Sequence, residues 1–114
     1  MVEKVNLLDR VNGANLFEYA GVGQLNGHVL SVLQAENRTL PFHTHASSDE
    51  LFYVIEGSME LEFDDGLLEL NVGELAIVPK GIRHRPVCGP LVKCLLIESA
   101  GTLTGENTGG SYVK

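Results

Sequence analysis

The chain has 114 residues, 44% hydrophobic and 20% charged, which is the size and balance of one globular domain. Fifteen Asp and Glu against eight Lys and Arg leave a net charge of −7, a field that repels phosphate backbones and argues against nucleic acid as a partner. No apolar run approaches the roughly 20 residues that span a bilayer, so no membrane segment is expected; Met1 to Arg10 also lacks the basic-then-apolar layout of a secretory signal, and the expected location is cytoplasmic.

In chain order, Val5 to Val11 can form one or two helical turns after Asn6. Thirteen glycines and short apolar runs then point to many short strands joined by tight turns. Val29 to Glu36 is β-rich and ends at the polar turn Glu36-Asn37-Arg38. Leu40 to His45 reads as a second short strand, Ala46 to Asp49 as a loop, and Glu50 to Ile55 as a strand again. After Gly57, Met59, Leu61 and Phe63 alternate with polar residues, the period of a half-buried strand. Asp64-Asp65-Gly66 is a hairpin turn, and Leu68, Leu70 and Val72 alternate on the return. Leu75 to Val78 is a short buried run closed by Pro79-Lys80-Gly81, and Leu91 to Glu98 is the last strand. The tail from Gly101 to Lys114 carries four glycines and little apolar surface, and is expected to be a peripheral surface strap or partly disordered. About eight short antiparallel strands argue for a small barrel or jelly roll.

Three of the four histidines fall in a chemically meaningful pattern. His43 and His45 sit two apart on a predicted strand, so both side chains leave the same face. Glu50 lies an odd number of residues beyond His45, but the loop between them resets the parity. His84 follows the Pro79-Lys80-Gly81 turn, and a closed barrel can bring it onto the other three. Three imidazoles and one carboxylate suit Fe, Mn, Ni, Co or Zn, and suit Ca or Mg poorly. On an octahedral ion they leave two positions free; on tetrahedral zinc they close the site, which would make the metal structural.

The arrangement His43-Thr-His45, four residues, Glu50, six residues, Gly57 resembles the first cupin motif. Gly73, five residues, Pro79-Lys-Gly81, two residues, His84 resembles the second, and the 15 residues from Ser58 to Val72 fit the short hairpin between them. The resemblance covers roughly Gly27 to Ser99. Asn37 stands where the first motif usually opens with Gly, and Asn tolerates a left-handed turn best among the other residues. Cys88 stands where the second motif often ends with Asn, at a position that is not a ligand.

The resemblance implies an all-β cupin double-stranded β-helix, a jelly-roll barrel, as one domain over 1–114 with its barrel core at about 22–100. It also implies a divalent metal held by His43, His45, Glu50 and His84. Cupins include dioxygenases, sugar-phosphate isomerases, epimerases, decarboxylases and non-catalytic storage or sensing proteins, so the fold does not name the reaction. The overall look, including Leu96 to Thr102, is similar to short cupins described as mannose-6-phosphate isomerase-like. Such small barrels commonly pair through sheet edges, so a homodimer is expected.

Phe52 and Val54 share the strand face of Glu50 and are expected to line a pocket that is apolar beyond the metal, suited to a small molecule with one chelating end. Cys88 shares a face with His84 and lies near the same pocket, as a lining residue or as a small buried hydrophobe. Lys80, Arg83 and Arg85 could draw an anion toward His84, although alternation turns both arginines to the outer face. His28 is expected to serve a surface or hydrogen-bonding role. No second carboxylate or free histidine is placed by spacing as an acid–base partner. The expected function is therefore a metal-dependent enzyme of the oxygenase or isomerase class acting on a small chelating metabolite, leaning toward oxygen chemistry. The alternatives are a non-catalytic metal or small-ligand binding module, and a purely structural metal.

Overall fold

The computed structural model describes residues 2–108. It contains one helix, α1 (Leu7–Asn12), and nine strands: β1 (Ala20–Leu25), β2 (His28–Ala35), β3 (Arg38–Thr39), β4 (Glu50–Glu56), β5 (Ser58–Phe63), β6 (Gly66–Asn71), β7 (Leu75–Val78), β8 (His84–Cys88) and β9 (Val92–Ser99). The strands form two antiparallel sheets, β1-β2-β9-β4-β7 and β3-β8-β5-β6, whose inner faces enclose the core. This is the expected all-β jelly roll.

The helix forms where the sequence signals it. The Asn6 side chain accepts a hydrogen bond from Asp9 N at 2.9 Å, Asp9 lies in the first turn and Arg10 in the last, each suited to the helix dipole. Val11 is fully buried, and Gln34 Nε2 on β2 donates to the carbonyls of Val11 and Ala14, fastening the N-terminal segment to the barrel.

Strand alternation builds the core. Val92, Cys94, Leu96 and Glu98 of β9 all face inward and are buried. They meet Phe52 and Val54 of β4, Leu33 and Ala35 of β2, and Met59 and Leu61 of β5. The β5–β6 hairpin turns at Asp64-Asp65 with Phe63 opposite Gly66, as the Asp-Gly signal predicts. Asn37 has φ +49, the left-handed turn anticipated for it.

Three expectations need correction. Leu40 to His45 is not a regular strand. Ladder pairing is confined to β3, Leu40 N still donates to Pro86 O at 3.1 Å, and then Pro41 interrupts because it has no N–H to give. Pairing resumes only at His43, which forms an isolated bridge with His84. The second correction is β1, for which the sequence gives little sign: it carries Gly21 and Gly23, and its pairing with β2 shifts register between them.

The third concerns the tail. Its described part lies on the barrel surface with half its residues exposed, but it is not without apolar anchorage, since Leu103 is 5% exposed and Thr108 1%. Residues 109–114 of the predicted tail lie outside the described residues.

Candidate metal centre

Four side chains converge at one end of the barrel, and backbone hydrogen bonds explain how. The His43–His84 bridge exchanges two bonds of 2.9 Å, N of each to O of the other, which joins the first histidine segment to the start of β8. Gly81 N donates to His45 O at 2.8 Å, and Lys80 N donates to Asp49 Oδ1 at 2.8 Å. The loop from Ala46 to Asp49 is thus tied to the turn before His84, and β4 starts with Glu50 aimed inward. His43, His45, Glu50 and His84 each present one ligand atom, all within 4.8 Å of one another. His84 Nε2 lies 3.1 Å and His45 Nε2 3.3 Å from Glu50 Oε1. All but His43 are buried.

The protons of two rings are assigned by their partners. His43 Nδ1 faces Pro41 O at 2.8 Å and His84 Nδ1 faces Ile82 O at 2.9 Å. A carbonyl only accepts, so each Nδ1 carries a hydrogen; without a metal, His84 Nε2 shares a proton with Glu50 Oε1 at 3.1 Å, and each Nε2 offers a lone pair once deprotonated. His45 Nε2 is buried and has no hydrogen-bond partner. Imidazole lone pairs and a carboxylate facing one another in a buried space repel unless a cation lies among them. With metal–ligand bonds of about 2.1 Å, adjacent ligand atoms stand roughly 3 Å apart and opposite ones just over 4 Å, so a spread of up to 4.8 Å closes onto one ion with an inward shift of roughly half an ångström. The donor set therefore fits a divalent transition metal.

The electrostatics agree. Burial alone would raise the Glu50 carboxyl, but the His84 hydrogen bond and the close approach of the His45 ring outweigh it and hold it below the usual value. Burial alone would lower His84, but the Glu50 hydrogen bond and the Ile82 carbonyl raise it. His43 is lowered, chiefly by burial, with the neighbouring rings adding to the effect. The pull of Glu50 on His84 and the mutual opposition of the rings are the forces that a metal would satisfy together.

Beside the cluster lies an inner chamber of about 40 Å³. His43, Glu50, Phe52 and Cys88 are in its wall. Val54 is not; one cross-strand step deeper on β4, it packs against Cys94 within the core. The Cys88 thiol is pushed up to about 11 by burial, with Arg38 opposing. Arg83 pairs with Asp64, Arg85 pairs with Glu62 at 2.6 Å, and both guanidinium groups stack on the Phe42 ring at 4.1 and 4.3 Å. They face outward, away from the cluster, as alternation predicts. His28 Nδ1 lies 3.2 Å from Asn26 O at the surface.

Sequence reasoning missed several chamber residues. Tyr19 and Arg38 line the inner chamber, and Arg38 stacks 4.5 Å over the Phe17 ring. Leu103 and Asn107 close it from the tail. No periodicity marks these positions, although Arg38 directly follows the left-handed turn at Asn37. Glu98 was missed as well: it is 2% exposed and its Oε2 has no hydrogen-bond partner. Its position was legible, since alternation along β9 turns it inward with Val92, Cys94 and Leu96.

The Cupin domain family profile matches residues 29–92, more than half of the chain and all four clustered residues. A germin-like protein, subfamily 2 member 2, of Arabidopsis thaliana is 30% identical over 79 residues, 65% of this chain and 36% of that protein. The chain spans 31% to 57% of the length of the curated relatives it matches. Among solved structures, a cupin-2 domain containing protein from Shewanella frigidimarina superposes with a TM-score of 0.79 at 28% identity, covering 83% of this chain and 93% of that one. Protein NMB1881 from Neisseria meningitidis gives a TM-score of 0.75 at 27% identity, covering 86% and 100%. With the profile match, the two-sheet barrel and the histidine–glutamate cluster all in hand, the chain belongs to the cupin domain family.

Proposed function

We propose that this chain binds one divalent transition metal (Fe, Mn, Ni, Co or Zn) through His43, His45, Glu50 and His84 and acts as an enzyme on a small chelating metabolite. The observation that carries this is the buried, partnerless Nε2 of His45 facing Glu50 among imidazoles whose Nδ1 hydrogens are held by backbone carbonyls. A bound metal would supply Lewis acidity and, for Fe, Mn, Ni or Co but not Zn, redox chemistry at the positions the protein leaves open.

The chain's own residues do the rest. The Pro41 and Ile82 carbonyls fix two rings, and Phe52 and Leu96 keep the chamber wall apolar. Burial raises the Tyr19 hydroxyl above its usual value, so Tyr19 and Cys88 both hold their protons at neutral pH. Neither stands ready to remove a proton from a substrate. That supports the oxygenase reading over a sugar-phosphate isomerase, which would need such a base. A non-catalytic binding module is the second reading, favoured by the chamber's size: about 40 Å³ holds only a few waters. The free thiols Cys88 and Cys94 fit a reducing, cytoplasmic setting.

Metal analysis of anaerobically purified protein tests the proposal. Near-stoichiometric Fe, Mn, Ni or Co is expected, lost in a folded His43→Ala/His45→Ala variant. Zinc would favour the structural or isomerase readings, and no uptake of any ion would overturn the metal proposal. Turnover, once a substrate is found, should vanish in a folded His84→Ala variant.

A homodimer is also proposed. Ile97, Leu51 and Ile77 stand side by side across β9, β4 and β7, with Leu95, Tyr53 and Leu75 as the next row on the same outer face. Leu75 and Ile77, on the edge strand β7, are 54% and 57% exposed. An apolar patch of this kind favours pairing with a second copy. Sedimentation equilibrium should show twice the 12.3 kDa chain mass, falling to the monomer on Ile77→Lys; a monomer at all concentrations would contradict the pairing.

A further inference from the structure

The chamber beside the four ligands is only partly enclosed, and the segment 101–108 supplies one side of its wall. Leu103, Asn107 and Thr108 form its tail-side wall. Two larger hollows flank the segment on the outside. One, of about 400 Å³, is bounded by His45, Thr44, Gly101 and Asn107. The other, of about 580 Å³, is bounded by His43, Thr44, Thr104 and Asn107. Asn107 stands in the wall of all three spaces, so they meet at this residue. Each hollow also has one of the clustered histidines in its wall.

Internal hydrogen bonds fix the shape of the segment. Asn107 Oδ1 accepts from Thr104 N at 3.0 Å, Asn107 Nδ2 donates to Thr102 O at 2.9 Å, and Thr108 Oγ1 donates to Thr104 O at 2.6 Å. These three bonds close within the segment, while Thr102 N donating to Ser99 O at 3.2 Å ties its root to β9 and Thr108, 1% exposed, anchors its far end, so opening has to break the first and release the second. At its root Gly101 has φ +85, a conformation glycine adopts without strain, and a Cβ there would meet nothing within 4 Å. The pivot is therefore uncrowded, and the buried apolar contact of Leu103 helps hold the segment down.

We infer that residues 101–108 form a hinged gate over the metal-side cavity, with Gly101 as pivot, Leu103 as plug and Asn107 at the meeting point of chamber and hollows. Opening merges the three spaces into one that admits a ligand with a chelating head beside His43 and His45 and a short apolar body in the chamber. The inference concerns the cavity of the proposed function, but its test needs neither metal nor turnover, so the two can fail separately.

Cys94 lines the chamber at 3% exposure and reports on opening. In a Cys88→Ser background it is the sole thiol, and its reaction with an aromatic disulfide reagent measures access. Gly101→Ala strains the closed pivot without a clash and should speed labelling about tenfold. Leu103→Ala, which loosens the plug, should speed it as well. Gly73→Ala is the matched control: it has φ +83, open space around its Cβ and no part in the gate. It should leave labelling within twofold of the parent once corrected for denaturant stability. Equal acceleration by Gly73→Ala and Gly101→Ala would assign exposure to general unfolding and overturn the gate. Unchanged labelling in both Gly101→Ala and Leu103→Ala would overturn it too.

Discussion

Gly57→Ala should destabilise the protein by about 3 kcal/mol or more, a large share of a typical domain's stability on the order of 5–15 kcal/mol. Gly57 joins β4 to β5 with φ +83, and a Cβ there would lie 2.4 Å from Leu91 O and 3.1 Å from Val92 Cα. Both neighbours are backbone at the entry to β9, so neither can yield by changing a rotamer. Relief requires moving the strand that carries Val92, Cys94, Leu96 and Glu98 into the core. Gly73→Ala carries the same positive φ with nothing within 4 Å of its Cβ, and should cost only about 1–2 kcal/mol. Urea unfolding of both variants separates conformational strain from steric clash. Equal losses would mean that the approach of Leu91 to Gly57 has no energetic weight.

Glu98→Gln should remove a large pH dependence of stability from the metal-free protein. Leu51 pairs with Ile97 and Phe52 with Leu96, so the register sets Glu98 across from Glu50 on the inward side. Burial, and then the charge of Glu50, push the Glu98 carboxyl up to about 8 from an ordinary value of 4.5. The folded chain then keeps this proton while the unfolded chain gives it up. Stability is complete below the unfolded value and falls as pH rises from about 4.5 to 8, by up to 1.36 kcal/mol per pH unit, or several kcal/mol over the window. Glutamine carries no charge to desolvate, so the variant should be the more stable protein above pH 7. Below pH 5 it should be the weaker by about 1 kcal/mol, because its amide N–H groups occupy a place where Oε2 finds no partner. Parallel stability profiles for the two proteins from pH 4 to 9 would show that Glu98 does not titrate with folding.

The candidate site was legible because its residues obey rules that act locally. A two-residue step puts His43 and His45 on one side, a loop frees Glu50 from strand parity, and a Pro-Gly turn delivers His84. The β5–β6 hairpin and the Asn6 cap were readable for the same reason, since each is decided within a few residues. What escaped depends on tertiary partners. Pro41 still allows an extended chain but forbids the ladder, so Leu40 to His45 runs straight without pairing as a strand. The glycines of β1 hide a strand held by its neighbour β2. Leu103 looks like an isolated apolar residue in a Gly-rich tail and becomes a core residue only against the chamber it covers. Val54 shares its strand face with Phe52, yet depth along the barrel decides that one borders the cavity and the other does not.

The chamber divides its origins along the chain. All four clustered residues fall within 43–84, inside the span shared with other cupins, whereas Phe17, Tyr19, Leu103, Asn107 and Thr108 come from outside residues 29–92. Gln34 splices the N-terminal arm onto the barrel, and Phe17 N donates to Gln34 O at 2.8 Å, so that arm is seated on β2. Divergence in these two flanks can thus retune what the cavity accepts while the donor atoms stay where they are. Exchanging the flanks between related barrels is accordingly the most direct way to move selectivity without rebuilding the centre.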